Sequence, residues 1–158
     1  MKFFVTGVAG FLGSHVADQL ISQGHEVHGC DNLIGGSMEN VHEEVKFYQV
    51  DAIYLNQMKK MTKDVDVIIH SACTAYEGLS VFSPYLVGQN TYQISLSVFT
   101  DAVTNNVKRV INCSSMARYG NQKSPFTEDM KPMPVDPYGI AKVAGEDVLK
   151  VLANLSLI

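Results

Sequence analysis

Tyr138 and Lys142 stand four residues apart, the interval that puts two side chains on one face of a helix. A phenol ionises near pH 10 in water and is a poor base at neutral pH. A cation beside it favours the phenolate, each pH unit of depression being worth about 1.4 kcal/mol. The pair could therefore take a proton from a substrate hydroxyl. Tyr and Lys at this spacing also cover many solvated helices, so the signal needs company. Ser114-Ser115-Met116 supplies it, following the β-branched run Lys108 to Cys113. A hydroxyl there sits at the carboxyl edge of a strand, where open α/β sheets bind ligands.

Near the N-terminus, Val5-Thr6-Gly7-Val8-Ala9-Gly10-Phe11-Leu12-Gly13-Ser14 joins a strand pattern to a helical one. Glycines at 7, 10 and 13 allow a tight turn and let backbone N–H groups and a helix N-terminus approach a pyrophosphate with no Cβ in the way. The spacing is GxxGxxG, and three glycines could also serve only a turn and a close helix contact. Asp31 favours the ligand reading. It ends the second strand pattern 18 residues beyond Gly13, where a carboxylate can accept hydrogen bonds from an adenosine ribose. Between Lys2 and Lys46 there is no Lys or Arg to neutralise a 2′-phosphate, which Asp31 would itself repel. These features point to NAD rather than NADP, and the positive ring of bound NAD⁺ would add to the depression expected at Tyr138.

The elements that must position these residues alternate between short β-branched or aromatic runs and longer stretches of helical period, which predicts an α/β fold with a parallel sheet and crossover helices on both faces. Strands are predicted at Lys2–Thr6, Glu26–Cys30, Val45–Gln49, Val65–His70 and Lys108–Cys113. One helix is predicted from Gly10 to Gln23, its apolar face made by Phe11, Val16, Leu20 and Ile21, with Gly24 as the stop. A second should span Pro84 to Asn105. A third starts at Asp136, a good N-cap, with Pro137 at the first helical position. The stretch from Ala117 to Val135, rich in Pro, Gly and polar residues, reads as a functional loop. Tyr76 to Leu79 reads as a loop that either touches substrate or is simply exposed.

Composition bounds the alternatives. The chain has 158 residues, 46% apolar and 18% charged, with a net charge of −4. That is one ordinary globular domain, with no basic run to follow a phosphate backbone or an anionic membrane, so neither nucleic acid nor membrane is an expected partner. Cys30, Cys73 and Cys113 are an odd number at wide spacing, which suits a reducing, cytoplasmic setting. His15, His25, His28, His42 and His70 form no ligand-spaced cluster, so no metal is expected. His70 closes an apolar strand and reads as a structural histidine.

The motifs together resemble the extended short-chain dehydrogenase/reductase family, and within it the nucleotide-sugar epimerases. TGVAGFLGS at 6–14, DNL at 31–33, VDA at 50–52, HSAC at 70–73, Asn90, SSMARYG at 114–120 and PYGIAK at 137–142 occur in register over nearly the whole chain. The resemblance implies a Rossmann-type doubly wound sheet and NAD as cofactor. It places Phe11 and Leu12 under the pyrophosphate, Asp31, Asn32 and Leu33 at the adenosine ribose, and Asp51 and Ala52 at the adenine. Ser71, Ala72 and Cys73 would line the cofactor channel, with Asn90 near the nicotinamide. Ser115, Tyr138 and Lys142 would be the catalytic trio. Tyr138 would remove a sugar hydroxyl proton, Ser115 would bond the same oxygen, and Lys142 would bind the nicotinamide ribose and lower the tyrosine pKa. The implied substrate is a nucleotide sugar, with a homodimer left open as the assembly.

Three positions depart from the family pattern. Met116 and Ala117 replace the acidic pair of the 4,6-dehydratases, which argues against dehydration. Arg118 stands where a small aliphatic residue is usual, and Ala75 where epimerases often carry a cofactor-contacting lysine. A reductase acting on nucleotide sugars or steroids, and a non-catalytic NAD-binding fragment, are the rival readings. The resemblance also implies further strands and a substrate domain beyond Ile158, so the apolar tail Val151 to Ile158 reads as an interrupted sequence and the chain alone is expected to be inactive.

Overall fold

The computed structural model describes residues 1–155 and 157–158; Ser156, within the apolar tail, lies outside the described residues. Five strands, β1 (Lys2–Thr6), β2 (Glu26–Asp31), β3 (Lys46–Gln49), β4 (Val67–His70) and β5 (Arg109–Asn112), form one sheet in the order β3-β2-β1-β4-β5. Every pairing is parallel, with Thr6 beside Cys30 on one flank and His70 on the other. The order reverses at β1, so the carboxyl ends of β1, β2 and β4 open on the crevice that this topology leaves for ligands.

Alternation along β1 and β4 builds two cores. Phe4 and Ile68 face a layer made with Met58, Val98 and Phe99, while Phe3, Val5, Val67 and Ile69 face a layer made with Ala17 and Val27. Helix α1 (Phe11–Ser22) covers the second layer. The first layer is covered by α2 (Leu55–Met61) and α5 (Ile94–Thr104), with Val148 and Leu149 of α6 (Pro137–Asn154) packed at its margin. A parallel sheet needs this cover on both faces because its strands are apolar on both.

The structure corrects the predicted helices in several places. Val16, Leu20 and Ile21 pack on the second layer as predicted, but Phe11 is 83% exposed, and the closest approach of α1 to the sheet is made by the buried Gly13, Ser14 and Ala17. Residues 55–61 form α2, which is too short for a periodicity signal. Tyr76–Leu79 is not simply a loop, because Glu77–Phe82 form a helix, α3. The predicted helix from Pro84 to Asn105 is divided into α4 (Pro84–Gly88), a π-helical turn (Gln89–Gln93) and α5.

Candidate active site

Two glycines make the turn after β1 possible. Gly7 has φ +72°, and a Cβ on Gly13 would lie 2.1 Å from the Gly7 carbonyl oxygen. Only glycine permits that approach of helix to turn. The α1 N-terminus follows with no acidic residue in its first turn, leaving its amide dipoles unopposed for an anion.

The turn forms one wall of a crevice of about 310 Å³ bordered by Gly7, Gly10, Asp31, Asn32, Asp51, Ala52, Ser71, Ala72, Cys73 and Asn90. Phe11 and Leu12 stand exposed on the first turn of α1. Gly13 is buried behind them, and Leu33 takes a left-handed conformation, φ +62°. Asp31 accepts the Ala9 amide on Oδ2 at 3.1 Å and the Leu33 amide on Oδ1 at 2.8 Å. The Asn32 side-chain amide donates to Asp51 Oδ2 at 2.9 Å. Both carboxylates are oriented by the protein and keep lone pairs for a ligand. Tyr76, from the segment that sequence left as substrate contact or exposed loop, borders the crevice too, as do Gly35, Gly36 and Thr74, which sequence did not single out; the Gly35-Gly36 pair after Asp31 was the available signal.

Asp136 caps α6, accepting the Gly139 amide at 2.8 Å with Pro137 at the first helical position. The cap brings Tyr138 and Lys142 inward, both buried. The Tyr138 hydroxyl lies against Cys73, which borders the crevice, Sγ to Oη 4.0 Å. Lys142 Nζ lies 5.8 Å from the Tyr138 ring centre and donates to the Cys113 carbonyl at 2.8 Å. Ser115 borders an adjoining groove of about 1030 Å³ that also contains Arg118 and Glu146, and its hydroxyl lowers the Tyr138 pKa.

The phenol is not depressed as the Tyr-Lys pairing predicts. Burial, and then the neighbouring Cys73 thiol, push Tyr138 up to about 12, against the Ser115 hydroxyl. Desolvation disfavours the phenolate, and Lys142 has spent one donor on a backbone carbonyl. The protein alone thus holds the phenol protonated.

Arg118 does not reach the crevice. Its Nε and Nη2 donate to the two oxygens of Glu146 at 2.9 and 2.8 Å, and the Ser114 hydroxyl donates to the same carboxylate. This fork clamps the turn that carries Ser115 to the helix that carries Tyr138, eight residues before Glu146. Bidentate geometry of this kind specifies orientation as well as attraction.

A glycine turn at the switch point of a parallel sheet, with acids at the second and third strand ends, defines a dinucleotide-binding α/β protein. The model of the NAD dependent epimerase/dehydratase family matches residues 3–156, and the chain belongs to that family. The UDP-glucose 4-epimerase of Lactobacillus helveticus is 33% identical over 152 residues, covering 94% of this chain and 46% of the relative. The solved UDP-glucose 4-epimerase of Thermotoga maritima, with UDP-glucose, has TM-score 0.93 at 33% identity over 98% of this chain and 52% of its own. That of Thermus thermophilus, in complex with NAD, has TM-score 0.91 at 29% identity over 98% of this chain and 51% of its own. The chain spans about half the length of the curated relatives it matches.

Proposed function

We propose that this chain is the NAD-binding half of a nucleotide-sugar 4-epimerase, Met1 to Ile158 forming the cofactor domain and the substrate domain lying elsewhere in the full protein. The observation that carries the reading is the contact of the Tyr138 hydroxyl with Cys73, which borders the glycine-walled crevice. It supports a proton-transfer role for the phenol beside the dinucleotide site. The crevice fits NAD: the space a Cβ would fill at Gly7 and Gly13 is needed for the turn, and Asp31 offers carboxylate lone pairs to a ribose diol. The amides at the start of α1 would hold the pyrophosphate, beside Phe11 and Leu12. Asn32 and Leu33 would flank the ribose, Asp51 and Ala52 the adenine, and Ser71, Ala72, Cys73 and Asn90 the remainder of the cofactor.

NAD supplies the hydride acceptor and donor of such a reaction. The chain's own residues move the proton. Tyr138 takes it from the sugar hydroxyl, Ser115 hydrogen-bonds the same oxygen, and Lys142, with donors left after Cys113 O, holds a ribose hydroxyl. With the phenol raised by the protein alone, a positive nicotinamide ring beside it would favour the phenolate. This proton transfer would serve oxidation of the sugar to a ketone and its reduction on the other face. Met116 and Ala117 offer no acid for water loss. Of the described residues, no helix is long and apolar enough to cross a membrane; a cytoplasmic setting belongs to the same proposal and rests on the three unpaired thiols.

Calorimetry of the chain with NAD and NADP tests the cofactor, and NADP binding as tightly as NAD would overturn the role given to Asp31. In the full protein, UDP-hexoses should interconvert with no net change in NAD. Stoichiometric consumption of reduced cofactor would show a reductase instead.

A further inference from the structure

The π-helical turn Gln89–Gln93 carries Asn90 to the crevice, and its own hydrogen bonding does not explain why it is held. Such turns are rare and locally unfavourable, and the Thr91 hydroxyl within this one is buried without a partner. Two outside ties reach it. One is direct, the Thr74 amide donating to the Asn90 carbonyl at 3.1 Å. The other runs through the sheet.

Its links are Thr6 at the end of β1, His70 at the end of β4 and Ser95 at the start of α5, all buried. The Ala72 amide donates to Thr6 Oγ1 at 3.2 Å, and Thr6 Oγ1 lies 2.8 Å from His70 Nδ1. His70 Nε2 lies 3.0 Å from Ser95 Oγ, which donates to the Thr91 carbonyl at 2.7 Å. A hydroxyl has one proton. Ser95 spends its proton on Thr91, so it accepts from Nε2–H. A neutral ring then has a bare Nδ1, which accepts the Thr6 proton, while Thr6 accepts the Ala72 amide. Every donor along the chain points the same way, from crevice floor to π-turn.

We propose that His70 is a positioning residue, fixed as the neutral Nε2–H tautomer, and the middle link of a one-way hydrogen-bond chain that sets the Asn90 turn against the crevice floor at Ala72. Its consequence for binding rests on the reading of the crevice as the NAD site. Neutrality has independent support: burial first, and the Lys142 charge second, push His70 down to about 3, and Phe99 closes one side edge-on, with ring centres 5.9 Å apart. Polar chains of this kind specify one arrangement only when every member is satisfied.

Nitrogen NMR of the wild-type chain tests the chain of bonds directly. His70 should show a protonated Nε2 and a bare Nδ1, unchanged from pH 8 down to about 5. An Nδ1–H ring, or an imidazolium in that range, overturns the proposal. Thr6→Val keeps the shape of the side chain but removes donor and acceptor, and should weaken NAD about tenfold while shifting the Asn90 side-chain amide signals; Thr6→Ser should restore both. A core variant of matched melting temperature, Val98→Ala, should bind NAD as the wild type does. Equal NAD affinity in Thr6→Val and Thr6→Ser would overturn the positioning role. A wild-type chain that bound no NAD would strike the functional reading, and the tautomer and the Asn90 signals in the Thr6 variants would still decide the hydrogen-bond chain.

Discussion

The two ends of the crevice are built by different means. At the β1–α1 end the backbone does the recognition: a left-handed Gly7, a Gly13 with no room for a side chain, and amides aimed outward. At the α6 end side chains do it, since Tyr138 and Lys142 of α6 meet Cys73 and Ser115 from two other segments of the chain. Backbone sites tolerate almost no substitution at their glycines but ask little of the residues around them. Side-chain sites depend on tertiary contacts such as the Arg118–Glu146 fork, and their chemistry can be tuned by one neighbour.

The sharpest break should come at Gly13. A Cβ 2.1 Å from the Gly7 oxygen and 2.8 Å from its carbon meets backbone that cannot step aside. Gly13→Ala should cost about 3 kcal/mol of stability and abolish measurable NAD binding. Thermal melts and calorimetry check it; NAD affinity within twofold of wild type would mean that the turn is not a backbone site.

At the other end, Tyr138→Phe should cut turnover of the full protein by about 10³-fold while leaving NAD affinity within about twofold. Lys142→Ala should lose both, if its ammonium holds the nicotinamide ribose as proposed. Steady-state kinetics beside binding titrations separate the two. Normal turnover in Tyr138→Phe removes the tyrosine from the chemistry.

A smaller effect concerns tuning by a neighbour. Cys73 is among the causes that hold Tyr138 near 12, so Cys73→Ala should lower the phenol pKa toward the ordinary tyrosine value. Tyrosinate absorbance of each protein, minus that of its Tyr138→Phe partner, reads this one phenol; unmoved titration would show that the thiol has no influence.

The smallest effect belongs to a carboxyl at neither end. Asp101 on α5 is buried against Thr62, with Oδ2 2.6 Å from its hydroxyl, and burial raises its pKa from 3.8 to about 6. A raised acid binds its proton more tightly folded than unfolded, so it favours the fold below about pH 4 and loses that advantage as pH climbs through about 6. Asp101→Asn should flatten the pH dependence of stability across this window and leave NAD affinity alone. Denaturant titrations at several pH values check it, an unchanged slope counting against the buried acid.

The difference between the two ends also decided what could be read in advance. The glycine turn, Asp31 and the Asp136-Pro137 helix start are local: each follows from neighbours in sequence and a conformational rule, and the strands came within one or two residues of their observed limits. On α1, Val16, Leu20 and Ile21 pack as their period predicts, whereas Phe11 is apolar yet 83% exposed; periodicity cannot tell a core residue from an exposed apolar one at a helix start. The π-turn was invisible because its stability comes from Thr74 and Ser95, outside it. His70 was legible as structural, but the direction of its bonds needed Thr6 and Ser95, 64 and 25 residues away.

By itself the sequence determined the class of fold, the backbone half of the crevice and the expectation of NAD, because glycine torsions, strand-helix alternation and the absence of nearby cations are properties of short stretches. The tertiary structure alone decided that Arg118 serves Glu146 rather than the crevice, that Cys73 meets Tyr138, and that the protein by itself keeps the phenol protonated. Those outcomes depend on burial and on groups brought together across β4, β5 and α6, and desolvation acts only once the chain has closed around a side chain.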